Sequence, residues 1–289
     1  MSLFVNQNTK ILIQGITGDK GTFHTKQMLK NGAQIVAGVA PGEGGDWIMD
    51  GKIPVFDTVD AAVDATGADA SIVFVPARNA YDALMESISA GIPLVFCITS
   101  GVPVQDMLKI KEYLRNKSNR IIGPGSPGMI TSWNLGLGVV PSGISVKGNI
   151  GVISRTGPLA YEIIFEMMQA DLGISSFIGL GAESIVGSDF TNILESYEMD
   201  PATEKILLIG ESDSVLEERA AAYISEHITK PVFGYIAGGY GKVEGDPVFD
   251  KNGQSFISGS IAQKIDALKS AGVKIAALIQ DIPNLIGSV

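Results

Sequence analysis

At 289 residues the chain has room for about two domains of roughly 150 residues, each able to bury its own core. Its 21 Lys and Arg against 31 Asp and Glu leave a net charge of −10 with no basic run, which argues against a nucleic-acid partner and leaves any anionic ligand to be met by local dipoles. No stretch reaches the ~18 consecutive apolar residues of a membrane span, and "MSLFVNQNTK" lacks the basic and apolar parts of a secretory leader, so a soluble, cytoplasmic protein with no membrane partner is expected.

Short β-branched runs alternate with helical patterns through the first half. "KILIQGIT" (10–17), "AQIVAGVA" (33–40), "ASIVFVPA" (70–77), "PLVFCITS" (93–100) and "RIIGPGS" (120–126) read as parallel strands buried on both faces. Between them "GTFHTKQMLKNG" (21–32), "TVDAAVDATG" (58–67) and "NAYDALMESISAG" (79–91) read as helices that close on glycine. This βαβ repetition predicts a doubly wound α/β domain over 1–131. The Gly-rich stretch "SWNLGLGVVPSGISVKGN" (132–149) interrupts the rhythm. Strand patterns then resume at "IGVISRTG" (150–157), "SSFIGLGA" (175–182), "KILLIGES" (205–212), "PVFGYIAG" (231–238) and "KIAALIQD" (274–281), so a second α/β layer structure is expected over 146–289. The one cysteine, Cys97, falls in a strand-like run, which excludes an intrachain disulfide and a cysteine-cluster metal site; it reads as a core thiol.

The first βα turn, "IQGITGDKGTFH", sets Gly15, Gly18 and Gly21 three residues apart between a strand and a helix. Glycines there allow a tight turn and let helix N–H groups face a phosphate, while a purely structural turn explains the same spacing. NAD would call for an acid at the end of the second strand, where Ala40 and Pro41 stand instead, so a nucleotide ligand other than NAD, such as coenzyme A, is favoured. "FVPARN" (74–79), "CITSGVP" (97–103) and "IIGPGSPGMI" (121–130) fall at predicted C-terminal strand edges, the side on which open α/β sheets bind ligands. In the second half "VISRTGPLAYE" (152–162) runs strand, turn, helix and sets Ser154, Arg155, Thr156 and Gly157 at a helix start suited to an anion. A Ser/Thr cap beside a solvated arginine is the plainer reading of that stretch. "LLIGESDS" (207–214) ends a strand with Glu211, placed either to orient a hydrogen-bonding group or to face solvent.

The motifs "GITGDKGTFHTKQ", "VAPGEGG", "PVFDTVDAAV", "FVPA", "IGPGSPGMI", "GVISRTGPLAYE", "GSDFTNILE", "IGES", "EERAAAYISEHITKPVFGYIAG" and "KSAGVKIA", in this order, span nearly the whole chain. Together they resemble the α subunit of succinate–CoA ligase, of the NDP-forming acyl-CoA synthetase type. The resemblance implies an N-terminal Rossmann-like CoA-binding domain and a C-terminal flavodoxin-like domain. It also implies a separate ATP-grasp β subunit, in a heterodimer or heterotetramer, that holds ATP or GTP and its Mg²⁺, with no metal in this chain. CoA is then expected along Thr17, Gly18, Asp19, Lys20 and Gly21, Pro41 and Glu43, Val75, Pro76 and Ala77, and Ile98, Thr99 and Ser100. In such enzymes phosphate passes from the nucleotide to a histidine, forms an acyl phosphate with the carboxylic acid, and leaves as the CoA thiolate attacks. Ser154 to Gly157 match the helix start that holds the phosphate, and Glu211 matches the acid that hydrogen-bonds the phosphohistidine.

Departures from the pattern gather at the chemistry. The chain has only His24 and His227, and neither aligns with the phosphorylated histidine. His24 belongs to the first helix, and His227 ends a helix, where a cation is favoured. In the family the histidine loop reads "GK-x-x-G-His"; "GKVEGD" (241–246) places Asp246 there, and an alignment on "FISGS" (256–260) places Asn252 there. The family's Asn-Cys pair, at the acyl and phosphate site, is Gly125 and Ser126, a Glu after "IT" is Ser100, and a CoA-loop Lys is Glu43. Two readings follow. In one, the chain serves a ligase for a small anionic acid, succinate or a related and even sulfonated one, with Asp246 as phosphoryl acceptor beside Glu211. In the other, it is a CoA-binding paralogue that has lost ligation or transfers acyl or carbamoyl groups without a carrier.

Overall fold

The computed structural model describes residues 4–131, 135–212, 214–238 and 261–288. By packing the chain divides into two compact units, Met1–Gly143 with Ser176–Ser188, and Ile144–Ser175 with Asp189–Val289.

The first unit alternates strand and helix: β1 (Ile11–Gln14), α1 (Asp19–Lys30), β2 (Ile35–Val39), β3 (Trp47–Ile48), β4 (Ile53–Phe56), α2 (Val59–Thr66), β5 (Ala70–Val73), α3 (Ala77–Ser89), β6 (Leu94–Cys97), α4 (Val104–Leu114) and β7 (Arg120–Ile122). Its seven-stranded sheet has the order β3-β4-β2-β1-β5-β6-β7. Every pairing is parallel except β3 with β4. Strands β1, β5 and β6 are buried along their whole length, as a sheet covered on both faces requires. The chain order reverses between β1 and β5, so the crevice of this sheet opens at the C-terminal ends of those two strands. Their alignment is locked from within by Gln14, whose buried amide donates to Ser71 Oγ on β5 at 3.0 Å and to Ser87 Oγ on α3 at 2.7 Å. Local signals set the helix ends: Thr58 caps α2 by accepting from the Ala61 N–H, and Gly67 stops it at φ 68°.

Four short strands, β3, β4, β8 (Gly128–Ile130) and β9 (Gly136–Gly138), were not anticipated, and the causes are clearest for β3 and β9. β3 is exposed and only two residues long, too short for any alternation to show. The Gly-rich interruption holds β9, antiparallel to β8; a Cβ at Gly128 would lie 1.8 Å from the Leu137 carbonyl oxygen, so this pairing needs glycine.

The second unit contains β10 (Lys147–Ser154), α5 (Gly157–Gln169), the start of β11 (Ile174–Gly179), α6 (Phe190–Met199), β12 (Lys205–Gly210), α7 (Leu216–His227), β13 (Val232–Ile236), α8 (Ile261–Ser270), β14 (Lys274–Ile275) and α9 (Ile282–Gly287). Its strands take the order β11-β10-β12-β13-β14, the 2-1-3-4-5 arrangement of a flavodoxin-like sheet, with the switch between β10 and β12. α6 starts with a capping box in which Asp189 and Asn192 satisfy each other's backbone N–H groups.

One expected strand is corrected. Of "KIAALIQD" only Lys274–Ile275 pair; Ile279–Asp281 form a 3₁₀ turn leading into α9. The Asp281 carboxylate accepts the Leu278 N–H at 3.1 Å and Pro283 follows in the first turn of α9, two helix-start devices hidden in a run whose apolar content alone reads equally as strand.

Tyr197 on α6 is fully buried and donates its hydroxyl to the Val152 carbonyl of β10 at 3.0 Å, which ties the helix to the switch strand. Tyr197→Phe is expected to lower the unfolding free energy by about 1–2 kcal/mol, read from the urea midpoint with an unchanged slope.

Candidate functional site

β1 leads straight into the glycine turn. Gly15 stands at φ +75° and donates its N–H to the Val39 carbonyl at 2.9 Å, while Gly18 donates to the Gly15 carbonyl at 3.2 Å. A Cβ on Gly21 would lie 2.1 Å from that same Gly15 oxygen, so the helix packs on the turn only because residue 21 has no side chain. α1 begins at Asp19, two residues earlier than its periodicity indicates, which brings Asp19 and Lys20 into the first turn. Gly18, at the N-cap, offers no side chain to cap that turn, leaving its amides to a ligand or water.

Backbone bonds string the neighbouring strand ends together. Phe74 donates to Gln14 O at 3.0 Å, Thr99 Oγ1 to Val75 O at 2.6 Å, and Gly125 to Thr99 O at 2.8 Å. The expected CoA positions at Thr17 to Gly21, Val75 to Ala77 and Ile98 to Ser100 therefore follow one edge of the first sheet. Pro41 and Glu43 lie on the exposed loop after β2. That loop is pinned by Asp57, whose Oδ1 accepts the N–H groups of Gly42 at 2.7 Å and Gly44 at 3.0 Å. Glu43 reaches back to the turn, accepting from Thr17 Oγ1 at 3.3 Å.

Gly125 and Ser126 stand differently from one another. Gly125, at φ +68°, is half-buried, and a Cβ there would approach the Glu183 side chain to 3.3 Å. Ser126 is buried; its hydroxyl donates to Gly179 O at 2.6 Å and accepts from Gly128 N at 2.9 Å, which commits it to shaping the turn. Glu183, unmarked by any sequence motif, accepts the Gly101 N–H at 2.6 Å. Cys97 is a core thiol: burial pushes it up to about 12, with the Thr99 backbone bond pulling the other way and Glu183 adding to the rise, so it stays protonated at neutral pH. His24 stacks on Phe74 with ring centroids 5.6 Å apart, and partial burial, helped by Lys20, holds its pKa below the ordinary range. His227 lies at the C-terminal end of α7.

In the second unit the switch strands end in a cation and an anion. Arg155 follows β10 and is only 1% exposed, which sets aside the solvated arginine allowed by the sequence. Its Nη1 lies 3.9 Å from Oε2 of Glu211, which follows β12. Ser154 is buried and its Oγ accepts the Thr156 N–H at 3.2 Å, holding the turn. Thr156 is the N-cap of α5 but makes no side-chain cap bond, and Gly157 and Pro158 begin the helix. The Glu211 carboxylate offsets the buried guanidinium, so the uncapped start of α5 is what gives this strand edge a field favourable to an anion. Tyr161, farther along α5, has its phenol pushed up by burial and remains a neutral hydroxyl. Asp246 lies outside the described residues, as does Asn252.

Comparison with known proteins matches one domain in each half of the chain. The description "CoA binding domain" matches residues 6–101, and "Succinyl-CoA ligase like flavodoxin domain" matches residues 147–279. The α subunit of the ADP-forming succinate–CoA ligase of Staphylococcus aureus (strain Mu50) is 41% identical, over all of this chain and 93% of that protein. The chain belongs to the succinate–CoA ligase α-subunit family. Among solved structures, ATP citrate lyase from Methanothrix soehngenii, in complex with citrate and coenzyme A, superposes with a TM-score of 0.83 at 23% identity, covering 99% of this chain and 50% of that one. A dinucleotide forming acetyl-coenzyme A synthetase 1 of Ca. Korarchaeum cryptofilum gives 0.74 at 20% identity, covering 95% of this chain and 59% of that one. The chain thus spans about half the length of these solved relatives, and at such identities they speak for the fold alone.

Residues 6–101, which match the CoA-binding domain, lie within the first unit and carry the close-packed glycine turn with its uncapped helix start. What sequence reading missed is the role of two carboxylates that hold the loops: Asp57, inside the motif "PVFDTVDAAV", accepts the N–H groups of Gly42 and Gly44, and Glu183, outside every such motif, accepts that of Gly101. An exposed carboxylate at Glu43, hydrogen-bonded to Thr17, would repel a phosphate held at the glycine turn. Glu43→Lys is expected to lower the dissociation constant for CoA about tenfold at low salt, with the gain shrinking as ionic strength rises, measured by calorimetric titration.

Proposed function

We propose that this chain is the CoA-binding subunit of an NDP-forming acid–CoA ligase, which joins a small anionic carboxylic acid, succinate or a related and even sulfonated acid, to CoA as ATP or GTP is converted to NDP and phosphate. The single observation that carries this reading is Arg155, buried at the end of β10 and 3.9 Å from Glu211 at the end of β12, beside the uncapped start of α5. A trianionic phosphoryl group needs fixed dipoles that do not reorganise as charge moves, and the first-turn amides of α5, which follow the buried Arg155 closely in the chain, meet that need. Glu211 accepts a hydrogen bond from whatever group presents the phosphoryl, and its charge is kept in place by Arg155. In the first unit the amides and side chains of Thr17 to Gly21, the loop at Pro41 and Glu43, and the edges at Val75 to Ala77 and Ile98 to Ser100 would hold CoA. Bound CoA supplies the thiol that takes the acyl group. Gly125 and Ser126, on the turn after β7, lie beside the acid. Nucleotide and Mg²⁺ belong to an ATP-grasp β subunit, in keeping with the relative's naming as a subunit α.

With no histidine at the expected loop position, Asp246 is the proposed acceptor, as an aspartyl phosphate. The same missing histidine supports the second reading, a CoA-binding paralogue that has lost ligation or moves acyl or carbamoyl groups without a carrier. One experiment separates them. The chain, purified with its β-type partner, is given γ-labelled ATP or GTP, CoA and a panel of small acids. Acid- and CoA-dependent NDP release, with hydroxylamine-labile label on this chain lost in Asp246→Asn, is the expected result. Glu211→Gln should lower turnover by about 10²-fold or more while leaving CoA affinity unchanged. Neither label nor NDP release across the panel sinks the ligase, and CoA binding without turnover then leaves the paralogue.

A further inference from the structure

The backbone that carries Glu211 is held by a buried charge pair. The Glu211 N–H donates to Glu217 Oε1 at 3.0 Å. Oε2 of that carboxylate accepts from Lys264 Nζ at 2.9 Å and from Ser214 Oγ at 2.8 Å. Glu217, in the first turn of α7, and Lys264, on α8, are both 0% exposed. The three ammonium protons of Lys264 find three acceptors: Glu217, Glu218 Oε2 at 3.0 Å, and the Ser214 carbonyl. Gly210 completes the seat, because a Cβ there would come within 2.7 Å of Glu217 Cγ. The end of β12 therefore rests directly on the Glu217 side chain.

A pair like this is poor evidence of stability, since apolar residues of equal volume often serve a core as well. A pair that merely packed two helices would also have no need of the strand. Here one carboxylate is shared between a lysine on α8 and the peptide of Glu211, so its distinctive effect is to fix where that peptide lies.

We propose that Glu217 and Lys264 are positioning residues for Glu211. Lys264 orients Glu217, Glu217 holds the Glu211 peptide, and the Glu211 carboxylate is thereby kept 3.9 Å from Arg155 Nη1. The inference rests on the reading of Glu211 as the acid at a phosphoryl site. Glu217→Leu combined with Lys264→Met removes both charges at similar volume and takes away the acceptor of the Glu211 N–H. In the complex with the β-type partner, the double variant should bind CoA with unchanged affinity and KM, while kcat for acid-dependent NDP release falls about tenfold or more. In a Glu211→Gln background the same pair should cause no further loss, because both changes act through one carboxylate. Wild-type kcat, or losses that simply multiply, would overturn the assignment. Glu217→Asp keeps the charge but shortens the reach, and a matching kcat loss there gives the same result should the double variant fail to fold. A crystal structure of a folded variant reads the inference without turnover: a displaced Glu211 carboxylate supports it and an unmoved one overturns it, whereas absence of wild-type turnover counts against the ligase reading alone.

Discussion

Parallel strands buried on both faces impose the constraint on which everything else in this chain depends. Once helices cover a sheet front and back, the backbone groups and side chains able to meet a ligand are those where strands end and loops begin. Each unit obeys this separately. In the first, the reversal of strand order between β1 and β5 opens a crevice where the glycine turn lies. In the second, the reversal between β10 and β12 delivers Arg155 and Glu211 to one edge.

A net charge of −10 makes the two edges informative, because neither relies on a basic surface to meet an anion. The glycine turn presents amides of an uncapped helix, and the second edge adds a guanidinium that is shielded from water. Shielding matters in magnitude: an exposed arginine is screened within about 10 Å at ordinary salt, and a buried one is screened far less.

Much of this was legible in the order of residues. Burial along all or nearly all of a strand writes a mostly apolar run, so β1, β5, β6 and β12 announce themselves, and Gly15, Gly18 and Gly21 mark a turn at which the first and last tolerate no larger residue. "KIAALIQD" misled because an apolar run says nothing about period, and the deciding signals were the bond of Asp281 to the Leu278 N–H and Pro283. Asp57, Glu183, Glu217 and Lys264 were invisible for a different reason. A carboxylate in a loop or first helical turn, and a lysine on an amphipathic helix, look solvated until the fold shows which backbone N–H groups they serve.

The division of the chain into units bears on how such a protein can be rearranged. Ser176–Ser188 pack with the first unit although they follow the beginning of the second in sequence. A break near residue 143 would strip the first unit of Gly179 and Glu183, leaving the Ser126 hydroxyl without its acceptor and the Gly101 N–H without its carboxylate. The loops after β6 and β7 would lose their supports even though every residue of those loops was kept. Recombination that preserves this edge must therefore carry the two units together, or move thirteen residues across the join.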